Sequence, residues 1–547
     1  MALLVDVFGF LTVVLHGLTL AAQTVALGSV LFLVLLARPL AWLLGGEGAQ
    51  IRRTAGRMAA FAALALALCE AGGVALQGAV LASTLGIDPA ALQSAVFVQA
   101  AGIKIGAALL LAIGRTPGVL LLAVGAVELA AAVAVTHAAA RMEGREILIG
   151  LTLLHQFGAA LWIGGMPAFL MALARVHDGV STHLIGARFS AMSMAGVACL
   201  LLSGAGLTLF YVLGPDLDPQ GLYGTAYGVM VAAKMALFAA LLLLGFGNFL
   251  LLRRLRARPN TPVRRLRRFA EVELGIGLTV LFAAASLTSV PPAVDLAHDR
   301  VTWAEIAARN TPEWPRLTSP AVDSLYVPAT QAKLDAEAAA RAGKPSVAYV
   351  PGGGVLSQRN AADIAWAEYN HHAAGLFVAA IGLLALLAQA GVRPARHWPL
   401  LFLGLGGFIL LRADPNVWPL GPLGVWESLR DPEVLQHRFF GLLTVLFALF
   451  EWRVRTGWGH RGAALVFPLA CALGSAALLT HAHALGNVKE QLLIELTHTP
   501  LALFGLAAGW ARWLELRLDW PERRRAGWVW PLCLLVCGLL LLGYRES

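Results

Sequence analysis

The chain has 547 residues, 58% hydrophobic and 13% charged, with a mean hydropathy of +0.72. A soluble protein of this length needs far more charge to cover its surface, so the composition excludes a soluble globular enzyme and indicates a polytopic membrane protein. The net charge of +9 comes almost wholly from arginine. In so apolar a chain it reads as loop charge that sets membrane orientation, and no nucleic-acid partner is expected.

The N-terminal MALLVDVFGF has no basic stretch before its apolar run. It is read as entering a first membrane helix rather than as a cleaved signal peptide. At about 20 apolar residues per crossing, about fourteen spans are predicted. They lie near 8–37, 56–82, 92–113, 117–139, 146–174, 186–212, 226–252 and 268–290, then 362–391, 396–412, 434–455, 462–483, 489–516 and 526–544. The runs are long and Leu/Ala-rich rather than alternating, which disfavours strands. The expected fold class is an all-α polytopic membrane protein with an eight-helix half at 1–292, a hydrophilic segment at 293–361 and a six-helix half at 362–547. Within the hydrophilic segment, TQAKLDAEAAARAG reads as helix and YVPGGG as a turn.

Basic clusters follow the odd-numbered spans, the densest being RRLRARPNTPVRRLRR, Arg253 to Arg268. The alternate loops GPDLDPQ and LASTLGIDPA carry acid or no charge. The positive-inside rule then places both termini and the hydrophilic segment outside. The five cysteines all lie in apolar runs and form no disulfide framework. Cys533 and Cys537, one helical turn apart, are spaced to hold a soft metal or to pack.

The histidines are the informative residues. With this orientation, His16, His137, His155, His298, His371, His372, His437, His481, His483 and His498 fall in the outer half of the membrane or beyond it. Polar groups inside a span are costly and need partners, so these are candidate site residues. His155 and His498 each sit about nine residues into an inward-running helix, roughly 13 Å deep, with His16 and His371 or His372 at similar depth. Neutral imidazole suits copper, zinc and haem iron alike. His371 and His372 are about 100° apart on a helix, so one faces a shared centre and the other supports it or binds elsewhere. His481 and His483 form an H-x-H at an outer helix end, suited with His437 to metal capture. Met142 lies between His137 and His155, and a thioether with two imidazoles suits copper.

Glu368 with His371, and Glu495 with His498, share helix faces at i and i+3. Each carboxylate is expected to orient its histidine. Pro500 frees the carbonyl of Leu496 and kinks the last histidine-bearing span. Glu70, Lys104 and Lys234 lie within spans and are expected to pair or to line an ion path.

From 146 to 292 the sequence resembles the CopD family of bacterial copper-resistance membrane proteins. The resemblance rests on LLHQFGAALWIGG, RFSAMSMAGVACLLLSGAG, YGVMVAAKMALF, GFGNFLLLRR and RRFAEVELGIGLTVLFAAASLTSVPPA, in that order. The C-terminal half, from NHHAAGLF through LIELTHTPLALFG, is similar to extended members of that family. The resemblance implies a multi-pass protein of the bacterial inner membrane that transports copper inward for resistance or homeostasis. It also implies a separate periplasmic partner of the CopC type, since no such domain is fused here.

Two readings are open from the residues. In the first, copper enters at His481, His483, His437 and the Met142 region and passes to His16, His155, His371 or His372, and His498, in a transporter or binding protein rather than an enzyme. In the second, His16 with His155, or His371/His372 with His498, are axial ligands of b-type haem in a membrane oxidoreductase.

Overall fold

A computed structural model of the chain describes residues 8–88, 90–113, 117–321, 324–325, 340, 361–415, 417–421, 423–429, 432–459, 462–480 and 488–546. The described residues are mostly helical, with no strand among them. Among the described residues eleven helices are long and apolar enough to cross a membrane, and Gly118–Val133 and Ala463–Leu479 are shorter apolar helices. The protein is an all-α polytopic membrane protein. The predicted helix TQAKLDAEAAARAG and the YVPGGG turn lie outside the described residues.

The chain divides into two compact units, residues 8–298 and residues 299–547 with the first seven residues. In the first, α1 (Phe8–Phe32), α2 (Gly45–Leu85), α3 (Val96–Ile113) and α4 (Gly118–Val133) are followed by α5 (Arg145–Ala159), α6 (Gly179–Thr208), α7 (Ala226–Ala257) and α8 (Arg264–Leu287). Three of them continue through a π-helical turn: Leu33–Ala37 after α1, Ala160–Gly164 after α5 and Leu209–Leu213 after α6. Such turns widen the helix and re-aim its next residues. α2 ends where Gly86 adopts φ 63°, a left-handed cap that glycine reaches without strain.

In this unit α1 is central, packing on α2, α8 and the turn after α5. The crossing with α5 is backbone to backbone. A Cβ on Gly164 would stand 1.9 Å from the Thr24 carbonyl oxygen, and one on Gly28 2.1 Å from the Gly164 carbonyl carbon. Small residues permit this approach, the usual device where lipid supplies no hydrophobic drive between helices. Beside it, Gln23 Nε2 donates to Gln156 Oε1 at 2.9 Å, tying α1 to the histidine-bearing helix.

In the second unit, α9 (Trp303–Arg309) precedes α10 (Ala361–Gln389), α11 (Leu401–Arg412), α12 (Pro432–Arg455), α13 (Val466–Thr480), α14 (Val488–Arg517) and α15 (Glu522–Leu542). One end is locked by Trp398, Phe467 and Trp530. The Arg455 guanidinium lies 4.5 Å over Trp398 and 5.2 Å over Trp530, and pairs with Glu451 at 2.7 Å. Arg512 pairs with Glu515 at 2.5 Å, and Glu515 also accepts from Gln389 and Trp530. Two arginines that the sequence assigns to loop clusters are thus drawn inward, where carboxylates and aromatic faces offset the desolvation. Cys533 belongs to the same core, and Cys537 Sγ donates to the Leu501 carbonyl at 3.6 Å. Both are buried by packing.

Candidate metal-binding site

The site in residues 299–547 is built by one helix pair. α10 and α15 run antiparallel with their backbones nearly touching. Gly382 lies against Leu535, Gly538 against Ala379 and Gly375 against Leu542, with added Cβ atoms meeting backbone at 2.4, 2.2 and 2.8 Å. Carried one turn further, the same register sets His371 and His372 beside the residues after α15. α14 packs on α15 from another side and brings His498.

Three rings meet there. Tyr544 stacks on His371 with ring centres 3.8 Å apart, and His498 approaches both edge-on at 6.1 Å. His371 Nδ1 lies 2.8 Å from the Ala367 carbonyl, which can only accept. The proton is therefore on Nδ1, and Nε2 presents its lone pair, the form that binds a metal. Glu495 is buried on the same helix as His498 and takes a hydrogen bond from Thr499. Pro500 sits inside α14, two residues past His498.

His372 has a different task. Its Nε2 donates to the Tyr544 carbonyl at 2.8 Å, and its Nδ1 accepts from the Arg316 backbone N–H at 2.7 Å. Both nitrogens are occupied and no lone pair remains for a metal. The ring instead fastens Tyr544 and the segment after α9 to α10. Glu368 does not orient His371. It faces Arg316 and Arg545, each with Nε at 3.3 Å, and the Ala367 carbonyl, one turn back from His371, takes that role. Two guanidinium groups outcompete a neutral imidazole for a carboxylate. Arg545 also pairs with Glu313 at 2.6 Å, and Arg309 donates to the Arg545 carbonyl. Burial holds the Arg309 guanidinium below its usual range, partly countered by Tyr544 and Glu546. Together Glu313, Trp314, Arg316, Glu368, His372 and Arg545 line a cavity of about 600 Å³ beside the ring cluster.

In residues 8–298, His155 is held by a side chain. The Ser203 hydroxyl gives its hydrogen to the Cys199 carbonyl at 2.6 Å and so accepts from His155 Nδ1 at 3.0 Å. Nε2 again carries the lone pair. His16 lies on α1, within the field of the Lys104 ammonium. His137 Nε2 donates to the Thr288 carbonyl at 2.8 Å, and Met142 is 94% exposed. The neighbouring Arg141 pairs with Asp295 at 2.6 Å.

His437, in residues 299–547, pairs with Asp414 at 2.8 Å. His481 and His483 lie outside the described residues. Among the described residues no three His, Cys, Asp or Glu side chains converge as a metal cage; the structure brings His371 and His498 together as a pair. Sequence reasoning missed Tyr544, Ser203, Arg316 and Asp414. Of these only Tyr544 left a signal, as the aromatic residue that closes the last predicted span.

Residues 184–287, spanning most of α6, α7 and α8, match the family model for copper resistance protein D, CopD. The copper transport protein CutJ of Bacillus subtilis (strain 168) is 33% identical over 161 residues, which cover 29% of this chain and 28% of that protein. No solved structure matches. Within residues 184–287, this membrane protein is similar to the CopD family of copper resistance proteins.

Proposed function

We propose that this protein binds copper within the membrane and moves it across, with His371 and His498 as the holding pair and His155 as a further ligand. The observation that carries the reading is two imidazoles meeting edge to face, one with its tautomer fixed so that Nε2 is available. Two imidazoles bound in line to one metal at about 2.0 Å per bond have ring centres about 6 Å apart, close to the 6.1 Å between His371 and His498. The CopD region and the likeness to a protein named for copper transport supply the metal. Copper arrives through His437, His481, His483 and Met142, and His16 and His137 complete the set in residues 8–298. The membrane is a bacterial inner membrane with both termini periplasmic, and a separate CopC-like protein delivers the ion.

A b-type haem fits less well. A macrocycle centred between His371 and His498 would meet the Tyr544 ring, which stands 3.8 Å from one imidazole and 6.1 Å from the other.

The test is the metal content of the purified protein, read together with its visible spectrum. Copper near stoichiometry in the wild type, falling at least tenfold in occupancy in His371→Ala and His498→Ala, is expected. A Soret band with sharp reduced bands would overturn the copper reading. Cellular copper accumulation unchanged by either substitution would remove transport.

A further inference from the structure

Residues 8–298 contain a polar cluster that the histidines do not explain. Lys104 on α3 donates to Glu70 on α2 at 2.5 Å, and both side chains are buried. Glu128 on α4 is fully buried, and neither carboxyl oxygen has a hydrogen-bond partner among the described residues. The charged groups acting on it are Lys104 and Glu70. α1 and α5 also pack on α4. α1 bears His16, itself in the field of Lys104, and α5 bears His155, with Arg145 and Glu146 at its exposed start.

Two carboxylates thus share one ammonium. Lys104 neutralises Glu70, and a second carboxylate kept from water and unpaired is untenable as a bare charge. A structural ion pair would need one carboxylate, not two. The orphaned oxygens of Glu128 mark the place where a small positive ligand belongs.

We propose that Glu70, Lys104 and Glu128 form a proton-binding site that couples copper movement to a proton. Lys104 holds one carboxylate while the other carries the proton, so the cluster stays neutral. When the metal cation enters this unit, the O–H bond of Glu128 breaks, the proton leaves to water and the carboxylate remains. The return step takes one proton from water, and no electron is transferred. The coupling rests on the copper-movement reading; the proton site does not.

The experiment uses the full chain in liposomes with an entrapped pH dye and copper added outside. Copper uptake and internal pH are followed together, with the pH gradient and sodium varied separately. In the wild type, copper entry shifts internal pH, and reversing the gradient changes the uptake rate at least tenfold. Glu128→Gln keeps copper binding and loses the gradient response; Glu128→Asp, which restores an ionisable group, regains part of it. Wild-type uptake indifferent to the gradient, uptake that follows sodium instead, or a Glu128→Gln variant that responds like wild type each overturns the coupling. Absence of any wild-type uptake removes the transport reading, and infrared difference spectra then decide the site alone. A protonated-carboxyl band at neutral pH that Glu128→Gln removes upholds it, and no such band overturns it.

Discussion

His371 and His372 in residues 299–547 and His155 in residues 8–298 are held by opposite means. In 299–547, His371 and His372 bond to main-chain carbonyls and a main-chain N–H, so their tautomers are set by the helix register itself. In 8–298, His155 depends on the Ser203 hydroxyl, a side chain that a single substitution removes. The charged groups differ too. In 299–547 Arg455 is matched by Glu451 and the Trp398 face, whereas in 8–298 both carboxyl oxygens of Glu128 are without a hydrogen-bond partner among the described residues. A backbone-held site is lost only by moving helices, while a side-chain-held site can be retuned.

The largest expected effect is therefore a change of register in 299–547. Gly538→Leu sets a Cβ 2.2 Å from the Ala379 backbone nitrogen, and we expect a loss of about 3 kcal/mol or more in detergent unfolding. Copper binding should fall with it. Gly407→Leu, with open space around the new Cβ, should be neutral; equal effects at both positions would refute close packing as the cause.

Next is Lys104→Met, which strands Glu70 and should cost about 3–5 kcal/mol. Adding Glu70→Gln should recover most of this, as a double-mutant cycle would show. If the double variant is no more stable than the single one, Glu70 and Lys104 are not energetically coupled.

The two ways of holding imidazole are compared directly by His372→Ala and Ser203→Ala. The first leaves the Tyr544 carbonyl and the Arg316 N–H without their partner, at about 1–3 kcal/mol, seen by thermal unfolding. The second leaves only the His155 Nδ1–H without its acceptor, a smaller loss of about 1 kcal/mol, but should weaken copper binding at His155 roughly 10–100-fold, read by competition with a chelator. A reversed pattern would exchange the two roles.

The smallest effect is at Asp178, the N-cap of α6, outside the spans. Hydrogen bonds from the Ser181 side chain and backbone hold its carboxyl below the usual carboxylate range. Because the folded value lies below the unfolded one, its contribution is fully present above the unfolded value of about 3.9. It is lost as pH falls through the folded value. Asp178→Ala should cost about 1 kcal/mol at neutral pH and nothing in strong acid, where the two unfolding curves should coincide.

The helices were readable because each crossing needs a long apolar run with internally satisfied backbone, and LLHQFGAALWIGG and NHHAAGLF stand out within such runs. The 100° step between His371 and His372 already separated their roles. Their partners were not readable. Glu368, one turn from His371, was the obvious orienting group by spacing, yet two arginines distant in sequence took it. Ser203 and Tyr544 are ordinary residues until α5 meets α6 and α10 meets α15. Glu70 and Lys104 were recognisable as costly within their spans, and the structure shows that they pair; Glu128 acquires its meaning from theirs.

By itself the sequence determined the all-α membrane fold and the residues worth watching, since hydropathy and the cost of buried polarity are local properties. Tertiary structure decided which imidazole keeps a lone pair, which carboxylate is matched and which is stranded. Those outcomes depend on glycine-mediated backbone approach between helices far apart in the chain, which fixes register to within a residue and so chooses every hydrogen-bond partner.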